Sequence, residues 1–145
     1  MKQIVTMLMA LLFVTLSAGY TANITATKKN NTVYIHINAY HDTDKVYNAC
    51  DIELQYDAEK LRFNQDKSTL GCAPYRDIDG RLVFIDFGAD KLLGESIYVL
   101  AFDVIGKGKT EVKLNKATFC TKEKAASSNM EPTTNKPNSI TLWVK

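Results

Sequence analysis

Asn48-Ala49-Cys50-Asp51-Ile52-Glu53-Leu54-Gln55-Tyr56-Asp57-Ala58-Glu59-Lys60-Leu61-Arg62-Phe63 is the stretch whose pattern decides the fold. Cys50, Ile52, Leu54 and Tyr56 recur at every second residue, with Asp51, Glu53 and Gln55 between them. Successive side chains of a β-strand point to opposite faces, so the first set is buried and the second meets solvent. Tyr56 is in phase with Leu54, which lets its ring fill core while its hydroxyl finds a partner. Asp57 follows directly and is placed to cap a single helical turn over 58–60 by accepting backbone N–H groups. Leu61 then returns the chain to the core.

The same period extends outward in both directions. From Thr32 to Ala39, residues Val33, Ile35, Ile37 and Ala39 share one face, and Tyr34, His36, Asn38 and Tyr40 continue the other. Arg81 to Phe87 places Leu82, Phe84 and Asp86 on one side and Val83, Ile85 and Phe87 on the other. That near-continuous apolar run predicts a strand covered on both faces. Ser96–Ile105, Glu111–Leu114 and Ile140–Val144 complete the set of strands. Lys29-Asn30-Asn31, Asp79-Gly80 and Gly106-Lys107-Gly108-Lys109 supply turns, and Asp-Gly is a strong hairpin signal. Residues 121–138, rich in Lys, Ser, Asn, Thr and Pro, predict a long mobile loop. Many short strands with no long helical periodicity, internal repeat or linker imply one all-β sandwich or barrel.

The chain begins Met1-Lys2-Gln3, then runs apolar from Ile4 to Leu16 and small through Ser17, Ala18 and Gly19. This is the pattern of a secretory signal peptide over residues 1–19. The apolar run is shorter than the ~20 residues that span a bilayer. No Cys lies near the cleavage site, which argues against a lipid anchor there. The expected mature chain is one domain over residues 20–145, and it carries no further segment of membrane length. Its only lost charge is Lys2, so the formal charge falls from +2 to +1. A nearly neutral domain lacks the basic surface that nucleic acid requires. The expected location is secreted: extracellular, periplasmic or associated with a cell surface.

At this point the chain resembles the cohesin family. In cohesins an Asn-Cys-Asp-like strand leads to Tyr-Asp-Pro and then to a Leu that opens the next strand. Here Asn48-Ala49-Cys50-Asp51 leads to Tyr56-Asp57, with Ala58 in place of the Pro and Leu61 where the family has its Leu. Gly80–Phe87, Ile97–Val104, Thr110–Leu114 and Ile140–Leu142 are similar to later strands of that family, in order. The resemblance implies a cohesin-like jelly-roll β-sandwich of about nine strands. It implies a non-catalytic module that binds a calcium-loaded dockerin, or another surface protein, through one sheet face. Asp51 is the nearest match to a family contact position, and Glu53 lies on the same face. Ala49 stands where cellulosomal cohesins often carry Asn, so one hydrogen-bonding side chain is missing.

Several other residues invite a site. Asp77-Ile78-Asp79-Gly80 holds part of a calcium-loop pattern, but Tyr75 occupies the first ligand position and a strand follows, so a hairpin is expected. Asp42, Asp44, Asp86 and Asp90 read as solvated acids, and His36 and His41 do not share a strand face. No metal or cofactor is expected. No Gly-x-Ser-x-Gly elbow occurs, and Cys50 falls among Ile52 and Leu54 as a small core thiol, so no enzyme is expected. Cys72 and Cys120 are the expected disulfide, closing a loop of about 50 residues for about 3–4 kcal/mol. The rival is pairing of one thiol between chains. Tyr34, His36 and Tyr40 form a stripe suited to a protein or a sugar, unless a strand or the 121–138 loop covers it. Asn23-Ile24-Thr25 and Asn30-Asn31-Thr32 match the glycosylation triplet. The function read from all this is a protein-binding module. A carbohydrate-binding module taking polysaccharide, and a structural subunit that assembles through a free edge strand, are the alternatives.

Overall fold

The alternation around Cys50–Tyr56 is realised as the central strand of a sandwich. A computed structural model describes residues 20–41, 45–123, 131–134 and 138–145. Its strands are β1 (Tyr20–Lys29), β2 (Thr32–His41), β3 (Lys45–Tyr56), β4 (Leu61–Asn64), β5 (Tyr75–Ile78), β6 (Arg81–Leu92), β7 (Gly94–Val104), β8 (Gly108–Glu123), β9 (Glu131–Thr134) and β10 (Asn138–Val144). A short 3-10 turn, Gln65–Lys67, sits between β4 and β5. One sheet has the order β1-β2-β7-β4 and the other β10-β8-β3-β6-β5, with β9 also on β8. All pairings are antiparallel. Nine strands therefore form the two main paths, as the jelly-roll expectation required, and β9 is additional. The expected signal peptide, Asp42 and Asp44 lie outside the described residues.

Aromatic edges join the two sheets. Tyr20 on β1 meets Phe119 on β8 at 5.5 Å between centroids, Phe84 on β6 meets Tyr98 on β7 at 5.0 Å, and Tyr56 on β3 meets Phe102 on β7 at 4.9 Å. All three are edge-on, which brings the positive rim of one ring to the negative face of the other. Ile35, Ile37, Ile52, Leu54, Leu82, Leu100 and Leu114 fill the space between them and are fully buried.

The Tyr56–Asp57 corner is built as its residues dictate. The Tyr56 hydroxyl donates to Asp77 Oδ1 at 2.6 Å. The Asp57 carboxylate accepts Glu59 N–H at 2.9 Å, and its carbonyl accepts Lys60 N–H and Leu61 N–H. The Glu59 amide first and Lys60 second hold the Asp57 carboxyl below its ordinary range. Asp79 and Gly80 both have positive φ, 51° and 81°, the two-residue hairpin geometry that matches strand twist. The hairpin thus replaces the calcium-loop reading of Asp77–Gly80. Gly80 also approaches the backbone of Tyr56, whose N–H donates to the Gly80 carbonyl at 2.7 Å. A Cβ on Gly80 would lie 2.2 Å from the Tyr56 carbonyl oxygen. Gly80→Ala is therefore expected to cost about 2–4 kcal/mol, since it combines left-handed strain with a clash against backbone. Urea unfolding of the variant beside the parent measures it.

Three expectations are corrected. Strand β6 is covered on one face only: Leu82 and Phe84 are buried, whereas Ile85 is 46% exposed and Phe87 69%. Its second apolar face is surface, because no element lies over the outside of this sheet among the described residues. The 121–138 segment is not simply a loop, since β8 continues to Glu123 and β9 occupies Glu131–Thr134.

The third correction concerns the thiols. Cys50, Cys72 and Cys120 are all free. Cys120 lies on β8 opposite Ala49 of β3, and Ala49 lies opposite Phe87 of β6. Cys72 lies beyond that row, in the loop that borders a hollow with Asp86, Phe87 and Lys91. Two strand spacings alone amount to about 10 Å, beyond the Cα separation a disulfide tolerates. Burial pushes the Cys50 thiol up to about 11, so it stays protonated and inert in the core. A thiol reagent at neutral pH is expected to label exposed Cys72 first and Cys50 only on unfolding, with all three titrating in unreduced, denatured protein.

Candidate functional site

The outer face of the six-stranded sheet is laid out by strand register. On β3, outward-pointing Ala49, Asp51, Glu53 and Gln55 lie opposite Phe87, Ile85, Val83 and Arg81 of β6. On the other side, Ala49, Asp51, Glu53 and Gln55 lie opposite Cys120, Thr118, Lys116 and Lys113 of β8. Strand β5 widens the face, with Arg76 opposite Val83 and Ile78 opposite Arg81. Ile78 is 56% exposed. The face thus has an apolar band on β6 and β5 and a charged band on β3 and β8.

The charged band is internally paired. Arg81 holds Glu53 with two bonds, Nε to Oε1 at 2.7 Å and Nη2 to Oε2 at 3.0 Å. That pair, above all, holds the Glu53 carboxyl below its usual range. Lys116 Nζ donates to Asp51 Oδ2 at 2.6 Å, and the Asn115 amide donates to Gln55 at 3.2 Å. Exposed pairs of this kind add little to stability, about 0–1 kcal/mol each. Their consequence is geometric: they fix the long side chains beside the apolar band. A hollow of about 460 Å³ opens among them, lined by Arg76, Ile78, Asp79, Arg81, Val83 and Asn115 with Glu53 and Gln55.

Beneath the far end of this face is a buried polar cluster. The Tyr98 hydroxyl donates to Asp86 Oδ2 at 2.6 Å and receives Tyr47 O–H at 3.1 Å, and Cys50 Sγ is 3.3 Å from it. Lys91 Nζ donates to the same Asp86 oxygen. Burial raises the Asp86 carboxyl, but the bonds from Lys91 and Tyr98 outweigh it and leave the group below its ordinary range. Asp86 is thus not the solvated acid expected from the sequence: it points inward on β6, where these bonds satisfy it, and they fix the strand that carries Phe87.

Tyr34, His36 and Tyr40 lie elsewhere. They project from β2 on the outer face of the four-stranded sheet, on the opposite side of the sandwich from Asp51 and Glu53. His36 is already engaged, with Nε2 2.9 Å from Thr27 Oγ1 and Nδ1 2.9 Å from Ser96 Oγ. Tyr40 is 40% exposed, and Tyr34 is partly covered. The five residues nominated from sequence therefore divide between two faces. Ile78, Ile85 and Phe87 were missed as surface residues. The signal present for them was the second apolar face of Arg81–Phe87, which reads equally as a buried face or as an exposed interface.

Among the described residues no group of three His, Cys, Asp or Glu side chains is gathered as a metal site, and no helix is long and apolar enough to cross a membrane. No protein-family model matches the sequence, and no curated protein matches it. Solved structures do match the fold. A cohesin module from a Clostridium perfringens family 33 glycoside hydrolase superposes with a TM-score of 0.58 at 11% identity, covering 84% of this chain and 95% of that one. A type II cohesin domain from the cellulosome of Acetivibrio cellulolyticus gives 0.52 at 14% identity, covering 80% and 94%. The sixth cohesin of Acetivibrio cellulolyticus scaffoldin B, solved in complex with a Cel5 dockerin, gives 0.50 at 18% identity, covering 70% and 85%. The fold is a cohesin-like β-sandwich.

Proposed function

We propose that this chain is a secreted, non-catalytic protein-binding module that docks its partner on the outer face of the six-stranded sheet. The observation that carries the reading is the apolar band of Ile78, Ile85 and Phe87, open to solvent around half-buried Val83 and beside charges that are already paired. Such a band costs solubility unless a partner covers it. An apolar centre with a polar rim is the anatomy of protein interfaces. The cohesin-like fold supports the reading, and so does the dockerin held by the scaffoldin B cohesin. A dockerin-like module, or another surface protein with an apolar face, is the partner that fits. Ala49, opposite Phe87, brings no hydrogen-bonding side chain to that end of the face, which suits apolar packing more than a hydrogen-bonded contact.

The test is affinity capture with the immobilised protein from the secreted and envelope fractions of its source. Asp51→Lys sets a cation beside Lys116 at the edge of the band. It is expected to weaken capture of the specific partner about tenfold or more, through like-charge repulsion and loss of the fixed rim. Unchanged capture by Asp51→Lys removes the rim from the interface.

A further inference from the structure

A second hollow lies on the opposite side of the sandwich, and the chemistry of its lining differs from that of the apolar band. Where β2 begins and β7 ends, Lys29, Asn30, Asn31, Thr32, Tyr34, Arg62, Lys67, Asp103, Val104 and Ile105 line a hollow of about 550 Å³. Its centre is Asp103. Asn64 donates to Asp103 Oδ2 at 3.0 Å, and Lys67 Nζ and the Thr32 hydroxyl both reach Oδ1 at 3.4 Å. Asn64 first, then Lys67, hold the Asp103 carboxyl below its ordinary range. Arg62 stays 4.0 Å from this carboxylate, with its side chain 68% exposed. Lys29 is exposed and has no partner among the described residues. Three cations, Lys29, Arg62 and Lys67, thus line the hollow with one carboxylate, Asp103, already bonded to Asn64, Thr32 and Lys67, and the hollow keeps a surplus of positive charge. Concave surfaces concentrate such a field.

We propose that this hollow binds an anionic polysaccharide, with Lys29 and Arg62 receiving its carboxylate or sulfate groups and the Tyr34 ring supporting a sugar ring. Polysaccharide fits better than protein because the surrounding surface is polar. Thr25, Thr27, Asn23 and Asn38 continue outward from the hollow along the same sheet face, in register across β1 and β2. The exposed Thr25 and Thr27 offer hydroxyl groups to sugar hydroxyls, while buried Asn38 is held by Asn23, Thr25 and the Ser96 amide and keeps the face in place. The large exposed apolar residues at this face are Tyr40 and Ile105, far fewer than a protein interface core requires. Arg62 presents a planar fork suited to a carboxylate or sulfate, and Lys29 a mobile point charge. The inference is independent of the docking face, since the two surfaces share no residue.

Affinity electrophoresis of the whole protein at about 0.15 M salt, where charges beyond about 8 Å are screened, tests this with polygalacturonate, dextran sulfate and neutral dextran. Retardation by one or both charged polymers and not by dextran is expected, and the stronger of the two identifies uronate or sulfate as the preferred group. The Lys29→Ala/Arg62→Ala double variant is expected to weaken retardation at least about tenfold. Tyr34→Ala should weaken it as well, while Lys29→Arg should retain it. Lys113→Ala, on the opposite sheet, is the control for general charge and should leave it unchanged. No retardation of the parent, equal retardation by dextran, an unaffected double variant, or an equal loss in Lys113→Ala each overturns the proposal. Circular dichroism of the variants establishes that losses are not losses of fold.

Discussion

Phe102→Ala is expected to lower the unfolding free energy by about 3–5 kcal/mol, the usual cost of emptying a fully buried aromatic site. Phe102 is 0% exposed, near the C-terminal end of β7. Its ring meets Tyr56 from the facing sheet at 4.9 Å and Phe63 from β4 at 5.6 Å. Neither neighbour is able to collapse into the space. Tyr56 is tied to Asp77 through its hydroxyl, and Phe63 is held against Tyr75 at 5.3 Å. The cavity therefore stays open and the penalty falls at the upper end. Since a domain of this size has about 5–15 kcal/mol in all, the variant should melt about 10–20 °C lower. A loss below about 1 kcal/mol in chemical denaturation would mean that the two sheets do not meet at this ring.

Ile85→Asp/Phe87→Asp is expected to abolish partner binding with little effect on folding. Both side chains point away from the core on β6, and Phe87 is 69% exposed. Their replacement removes no core packing, so stability should fall by only about 1–2 kcal/mol, through strand propensity and repulsion between an acid at 85 and Asp51 directly opposite it. At an interface the same change buries two carboxylates among apolar groups without partners. Central apolar anchors are each worth about 2 kcal/mol or more, so the double variant should bind at least several hundredfold more weakly. Titration calorimetry with the captured partner reads the first quantity and urea unfolding the second. Retained affinity would place the interface elsewhere.

Local pattern made some of this legible in the sequence and left other parts out of reach. The period of two in Thr32–Ala39 and Cys50–Tyr56 needs only neighbouring residues, and both strands bury the faces that pattern assigns. Tyr56-Asp57 and Asp79-Gly80 specify their turns through groups within a few residues of one another. The outer face of β6 was not legible, because Val83, Ile85 and Phe87 look alike whether a layer covers them or not. That distinction depends on whether an element overlies the sheet, which is tertiary; among the described residues none does. The separation of Cys72 from Cys120 depends on β3 lying between β6 and β8, a fact of topology. The capture of His36 by Ser96 joins residues 60 apart in sequence, so no local pattern announces it. The same holds for the division of the nominated residues between two faces: Asp51 and Tyr34 each look like outward positions on a strand, and only the sheet order places them on opposite sides.

Hydroxyl-radical footprinting of the protein, free and with its captured partner, tests the docking face most directly, because it reports side-chain exposure residue by residue. Strong protection of Phe87, Ile85 and Ile78 with Tyr34 and Tyr40 unchanged is the expected result. Protection of Tyr34 and Tyr40 while Phe87 remains as reactive as in the free protein would contradict it, and would place the partner on the four-stranded sheet.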